Sequence, residues 1–222
     1  MNIFVSAIIV AAGNGIRFGG GKQTALLKGR SILDRALDPF QRMSLISDMI
    51  LVLPQGQDGE FLRRRFPKMT HCVPGGQERQ DSVQAGFAAV DGNKTDVVLV
   101  HDGARPLVRE DLITRVIRAA EARGAAVPVV PVEDTVKSCR NGKVIQTLDR
   151  SSLFRTQTPQ AFQYKVLEKA LRRAALSVFI GTDEASFVEE LGVPVFCVPG
   201  DPTNIKITTL LDMKIAEAFL DA

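Results

Sequence analysis

Short runs of consecutive apolar, often β-branched residues recur along this chain, separated by stretches whose apolar residues fall three and four apart. The clearest runs are residues 7–10, 49–53, 97–101 and 126–130. Strands this uniformly apolar are covered on both faces, the pattern of a parallel sheet flanked by helices. Helical patterns fill the intervals at about 32–44, 79–90, 110–122, 163–175 and 208–220. In one of them Ile113, Val116, Ile117 and Ala120 form the buried stripe. The expected fold class is therefore α/β with a mostly parallel sheet. No internal repeat or low-complexity linker divides residues 1–222, so a single domain is expected, long enough to bury a sizeable core.

One segment breaks the alternation. Residues 134–150, DTVKSCRNGKVIQTLDR, read as two strands around Asn141-Gly142, and Asn-Gly is the strongest two-residue hairpin signal. Its outer positions carry Lys137, Arg140, Lys143 and Gln146 in place of a core pattern. A hairpin set between α/β elements cannot easily bury both faces in its own domain. It is expected to project as an arm that packs on a partner subunit; the other reading is a plain surface hairpin.

Several function classes are excluded. A net charge of +3 with no block of five like charges gives no footprint for nucleic acid. The densest run, Arg63-Arg64-Arg65, reads as a solvated helix face. No stretch approaches the roughly 18 apolar residues that span a bilayer, and the N-terminus lacks a signal-peptide pattern. Cys72, Cys139 and Cys197 are odd in number and form no C-x-x-C pair, which suits reduced thiols and a cytoplasmic protein and argues against a zinc site.

Chemistry is concentrated at strand ends. The first strand runs into AAGNGIRFGGGKQ, residues 11–23, with five glycines, Arg17 and Lys22. Gly13, Gly15 and Gly19 loosely resemble a dinucleotide fingerprint, but the run 49–53 ends in Pro54-Gln55-Gly56 and lacks the acidic residue that would hold an adenosine ribose. Two cations beside backbone N–H groups suit a triphosphate whose charge rises during reaction. HDGARP, residues 101–106, ends the run 97–101. Ligands of open α/β sheets bind at the carboxyl ends of strands, which brings Asp102 to the same crevice; a carboxylate there suits Mg²⁺ shared with phosphates and water. PGGQERQDSV, residues 74–83, sets Gly75-Gly76 before a helix, where backbone can approach a flat ring. TQTPQAF and TDEASF place threonines before helices, with Asp183 and Glu184 suited to capping and to the helix dipole. Lys206 lies in a short β-like run, DPTNIKITT.

Taken in order, AAGNGIRF, GKQ, GGQERQDSV, HDGARP, DTVK, TPQAF, TDEAS and NIKIT resemble, over the length of the chain, the cytidylyltransferase family of the non-mevalonate isoprenoid pathway, which acts on 2-C-methyl-D-erythritol 4-phosphate. The resemblance implies a Rossmann-like nucleotidyltransferase fold of the nucleotide-diphospho-sugar transferase type, with a β-arm that builds a homodimer. It implies CTP as the nucleotide and Mg²⁺ or another divalent cation as cofactor, with Asp102 as metal ligand. The catalytic residues it implies are Arg17, Lys22 and Lys206. The CTP pocket would use Ala11, Ala12, Gly13, Gly76, Gln77, Ser82 and Gly103. The methylerythritol phosphate site would draw on Arg105, Thr135, Arg150, Thr158 and Thr182, with Thr135 and Arg150 acting across the dimer.

The chain departs from the family's P-K-Q-[FY] at Gly21-Lys22-Gln23-Thr24, which loosens the segment and removes an aromatic anchor. The loop is accordingly expected to be disordered or displaced without nucleotide. Two other readings stay open: a cytidylyltransferase for another polyol phosphate such as ribitol 5-phosphate, and a nicotinamide-dependent oxidoreductase. In some bacteria the domain is fused to a downstream synthase; here a monofunctional chain is expected.

Overall fold

The computed structural model describes residues 3–13, 18–19, 22–176 and 181–221. The chain enters through β1 (Val5–Val10), and beyond the glycine-rich stretch a small ribbon pairs β2 (Leu26–Leu27) with β3 (Arg30–Ser31). Helix α1 (Ile32–Arg42) begins where Ser31 Oγ accepts the Asp34 N–H at 2.9 Å, which satisfies one unpaired donor of the first turn. Next come β4 (Asp48–Leu53), α2 (Glu60–Arg65), β5 (Met69–Pro74), α3 (Arg79–Ala88) and β6 (Val97–Asp102). These strands form the parallel half of the main sheet in the order β6-β1-β4-β5, with Ile8 facing both Ile50 and Val100.

The second half is mixed. Helix α4 (Glu110–Arg123) ends at Gly124, whose φ of +97° suits glycine and whose N–H reaches the Ala120 carbonyl at 2.8 Å. After β7 (Ala125–Pro131), strands β8 (Lys137–Arg140) and β9 (Lys143–Thr147) leave the main sheet as a separate antiparallel ribbon. Its turn residues Asn141 and Gly142 have φ of +51° and +74°, the two positive values that a type I′ turn requires. This is the expected hairpin, and Val144 and Ile145 lie exposed on it.

Strands β10 (Phe154–Thr156) and β11 (Gln160–Gln163) then run antiparallel along one edge of β7, Arg155 facing Val130 and Ala161 facing Ala126. They amount to one strand interrupted at residues 157–159. β11 also pairs antiparallel with β6, so it is inserted between two strands that run the same way. Helices α5 (Tyr164–Ala175) and α6 (Glu184–Glu189) follow. Finally β12 (Phe196–Pro199) adds a parallel strand to β7, and α7 (Leu210–Asp221) closes the chain.

Alternate side chains of the strands enter two cores. Ile9, Leu51 and Leu99 pack under α1 and α4, against Leu37, Phe40 and Ile113. Ile8, Ile50 and Val98 face α3, α5 and α6, against Val83, Leu167 and Phe187. The expected strands and helices are present, with ends displaced by one or two residues. Two local readings need correction. Arg65 is not simply solvated, because its Nη1 lies 2.9 Å from an oxygen of buried Asp34. The segment around Lys206 is no strand but an extended loop, tied to β6 by the Ile207 N–H on the Ala104 carbonyl at 2.8 Å. Among the described residues no helix is long and apolar enough to cross a membrane.

Candidate active site

A cavity of about 160 Å³ opens at the carboxyl ends of β1 and β6, where crossover topology leaves a crevice. The residues 10–13 wall one side. The turn before α3, with Gly76, Gln77, Glu78, Arg79 and Ser82, walls the other, and Asp102, Gly103 and Ala104 form the floor; Lys22 and Lys206 complete the rim. Backbone bonds fix these loops: the Ala11 N–H to the Val52 carbonyl, Gly75 to Leu53, and Gly103 to Val10, at 2.8–2.9 Å. Gly75 is glycine for lack of room, since a Cβ there would lie 2.3 Å from the Ala12 Cβ and 2.7 Å from the Ser82 Oγ. Buried Ser82 accepts the Gly76 N–H and donates to the Glu78 carbonyl, both at 3.2 Å, and so braces the turn. In this structure that hydroxyl shapes the pocket wall.

Charge gathers on the floor. Asp102 is 6% exposed, and both of its oxygens are engaged by cations. Oδ1 lies 3.2 Å from Arg79 Nε; Oδ2 lies 3.0 Å from Lys206 Nζ and 3.5 Å from Arg105 Nε. Burial alone would push this carboxyl up, but Arg79, Lys206 and Arg105 outweigh it and hold it well below the ordinary carboxylate range. The fork of Arg79 is taken by Glu184, with Nη1 and Nη2 at 2.5 and 3.0 Å from the two carboxylate oxygens. Burial would lower the Arg79 guanidinium, yet Glu184 and Asp102 raise it above its usual value. Among the described residues no cluster of three or more His, Cys, Asp or Glu side chains could hold a metal.

Beneath Asp102 lies a chain of neutral hydrogen bonds. The Asp102 N–H donates to Thr158 Oγ1 at 3.0 Å, and that hydroxyl lies 3.1 Å from His101 Nδ1. The other ring nitrogen is 3.3 Å from the Arg105 carbonyl, which can only accept. His101 is therefore neutral, with its proton on Nε2 and with Nδ1 accepting a hydrogen bond from the threonine hydroxyl. Fully buried against Phe40, it is pushed down to about 3, chiefly by burial. Unfolded chains bind this proton below about 6.5 and the fold does not, so stability is complete above that pH and declines as pH falls toward 3. Between pH 6.5 and 5.5, above the ordinary carboxylate range, the loss is expected to approach about 1.4 kcal/mol per pH unit for this group. Urea melts of the wild type and of His101→Gln across that range check it: the variant should be the flatter, and parallel slopes would refute the assignment.

The segment that carries Lys206 is pinned to the same floor. Asn204 Nδ2 donates to the Thr158 carbonyl at 2.8 Å, and Arg105 Nη1 donates to the Asn204 carbonyl at 2.7 Å. Of the acceptor-site residues expected, Arg105 and Thr158 are thus buried beneath Asp102; the Thr158 hydroxyl and carbonyl and Arg105 Nη1 are hydrogen-bonded, while Arg105 Nε has only the 3.5 Å ion-pair contact with Asp102. Thr135, Arg150 and Thr182 lie exposed, the first two at the base of the arm, where Arg150 Nη1 donates to the Glu133 carbonyl. Arg17 and Gly21 lie outside the described residues, as do residues 14–16 and 20 of the loop expected to be displaced. Lys22, whose placement Gly21 was expected to loosen, stands in a 3₁₀ turn, Lys22–Thr24, at the cleft rim.

Two charged residues were missed. Arg79 stood in a quoted motif but read as a helix start, and Glu184 read as a helix-dipole partner. Asp183 does cap α6, accepting the Ser186 N–H at 3.0 Å, whereas its neighbour Glu184 is fully buried and paired. A charged residue amid the apolar positions of a short helix was the available signal; its partner, 105 residues away, was not.

Comparison with known proteins follows this geometry. The family described as 2-C-methyl-D-erythritol 4-phosphate cytidylyltransferase matches residues 5–222. A protein of that name from Syntrophus aciditrophicus is 43% identical, covering 97% of this chain and 95% of its own length. One from Symbiobacterium thermophilum is 42% identical, with 100% and 94% covered. Among solved structures, the 4-diphosphocytidyl-2C-methyl-D-erythritol synthase of Anaerococcus prevotii superposes with a TM-score of 0.87 at 32% identity, over 100% of this chain and 97% of that one. The 2-C-methyl-D-erythritol 4-phosphate cytidylyltransferase of Thermus thermophilus gives 0.81 at 31% identity, over 100% of both chains.

Proposed function

The chain belongs to the 2-C-methyl-D-erythritol 4-phosphate cytidylyltransferase family, and from that premise we propose how its own residues divide the work. The reaction transfers CMP from CTP to 2-C-methyl-D-erythritol 4-phosphate and releases pyrophosphate, in isoprenoid biosynthesis. The observation that carries the site assignment is the gathering of Lys206, Arg105 and Arg79 on Asp102, across the cleft from the glycine turn.

An oxygen of the 4-phosphate attacks the α-phosphorus of CTP. A new P–O bond forms as the bond to the bridging oxygen breaks, and its electron pair leaves with pyrophosphate. The attacking phosphate loses its second proton near pH 6, so no general base is needed at neutral pH. The titratable groups in and under the floor agree: His101 is neutral and bonded at both nitrogens, and Glu184 is committed to Arg79. Catalysis then rests on in-line placement and on cations that meet growing negative charge.

Cytidine would lie between the residues 11–13 and the turn Gly76-Gln77, with Gly103 beneath and Ser82 holding the turn. Lys22 and Lys206, which line the cleft, would face the phosphates, and the family resemblance adds Arg17 to the catalytic set. Asp102 is the floor carboxylate that could ligate Mg²⁺ or another divalent cation, whose other ligands would be phosphate oxygens and water. Bound there, the ion would supply neutralisation of phosphate charge. Arg105 and Thr158 support the acceptor site from below, and Thr182 stands at its edge. Thr135 and Arg150 complete it from a partner subunit.

That last role requires a homodimer built through the arm. Its support is the exposure of Val144 and Ile145, 60% and 62%, on a ribbon outside the main sheet. Replacing both by aspartate is expected to yield a monomer in sedimentation and to raise KM for methylerythritol phosphate more than for CTP. An unchanged sedimentation coefficient would remove the arm from the interface. For the substrate itself, the test is pyrophosphate release from CTP with methylerythritol phosphate, run beside ribitol 5-phosphate and beside ATP, GTP and UTP. Faster turnover of ribitol 5-phosphate would overturn the acceptor, and preference for a purine nucleotide the pocket.

A further inference from the structure

Glu184 does not itself line the cleft, yet through Arg79 it bears on how the cleft's charges are shared. Asp102 has two oxygens and three cations within reach. A guanidinium prefers to meet a carboxylate edge-on, with two parallel N–H donors. Arg79 does not meet Asp102 that way. Its two terminal nitrogens each donate to Glu184, and the one atom of the guanidinium bonded to Asp102 is Nε, 3.2 Å from Oδ1. Oδ2 therefore stays with Lys206, at 3.0 Å, and with Arg105.

The mount of Glu184 is rigid. Asp183 accepts Gln160 Nε2 at 2.7 Å, and Gln160 Oε1 accepts the Ala185 N–H at 3.2 Å, which bolts the start of α6 to β11. Ala185, Phe187 and Val188 are buried around it. We propose that Glu184 is a positioning residue for cytidylyl transfer: by occupying the fork of Arg79, it reserves the second oxygen of Asp102 for Lys206. The proposal rests on Lys206 being catalytic, and its test separates the two ideas.

Without the Glu184 charge, Arg79 turns its fork onto Asp102 and displaces the Lys206 ammonium, and a misplacement of about 1 Å can cost up to about 10²-fold in rate. In steady-state pyrophosphate release, Glu184→Gln is expected to lose at least about tenfold in kcat, with KM for CTP changed less than about threefold. The decisive variant is Glu184→Gln/Arg79→Gln. It removes the competitor as well, and should recover at least about threefold in kcat over Glu184→Gln alone. A residue that only holds the fold together would not be rescued by deleting its partner. In a Lys206→Ala background, Glu184→Gln should cost nothing further, since both changes act through one ammonium.

A Glu184→Gln enzyme within about twofold of wild type, a double variant no faster than the single, or full additivity with Lys206→Ala would each overturn the proposal. Normal turnover in Lys206→Ala alone would instead sink the reading beneath it, independently of Glu184. Should Glu184→Gln show no melting transition, the double variant decides, because both buried charges are gone. Turnover within about tenfold of wild type then supports the proposal, and a larger loss overturns it.

Discussion

Lys206→Ala is expected to lower turnover by about 10²–10³-fold, or about 3–4 kcal/mol, the usual consequence of removing one preorganised donor from a site where anionic charge develops. An ammonium has three donors; in this structure Lys206 spends one contact on Asp102, at 3.0 Å, while lining the cleft. Its partner across the rim, Lys22, is expected to behave alike. If both act on the transition state, kcat and kcat/KM fall together while KM for CTP moves little. Pre-steady-state and steady-state pyrophosphate release on each alanine variant check this. Near-normal kcat in either variant would remove that lysine from the catalytic set.

The largest expected effect on stability falls on Asp102→Asn. The substitution keeps the shape and removes the charge that three buried or half-buried cations share. Taking one partner from a buried ionic network typically costs about 3–5 kcal/mol, because the remaining charges stay desolvated and uncompensated. For a chain of this length that corresponds to a fall of roughly 6–20 °C in Tm. Inorganic pyrophosphate should raise the Tm of the variant more than that of the wild type, since an anion then supplies the missing charge. An unchanged Tm would mean that the cations repel one another less than their spacing implies.

Much of this was readable beforehand, for identifiable reasons. β1, β4, β6 and β7 are buried on both faces, and a continuous apolar run records that directly. Asn141-Gly142 announced its turn through chemistry local to two residues. The site loops surfaced because nucleotide chemistry puts glycines and cations at strand ends.

What stayed hidden is non-local or polar. β11 spans only four residues with glutamine at both ends, and nothing in QAFQ shows that it will be wedged antiparallel between β6 and β7. Thr158 looked like a helix cap or a ligand residue; its burial depends on His101, Asn204 and the Asp102 backbone closing around it. Arg79 and Glu184 find each other only through the fold, since no spacing rule reaches across 105 residues.

The charge cluster also sets an order of events in time. Its members come from α3, the end of β6, the start of α6 and the loop before α7, so the contacts lie far apart along the chain. Such contacts close slowly, because loop-closure entropy must be spent before they reward it. During synthesis, which proceeds from the N-terminus, Arg79 and Asp102 emerge first, Arg79 then gains Glu184, and only after residue 206 has emerged does Asp102 gain the ammonium. On the proposed role of Lys206, catalytic competence is therefore acquired late in synthesis, after the residues of every strand of the main sheet have emerged.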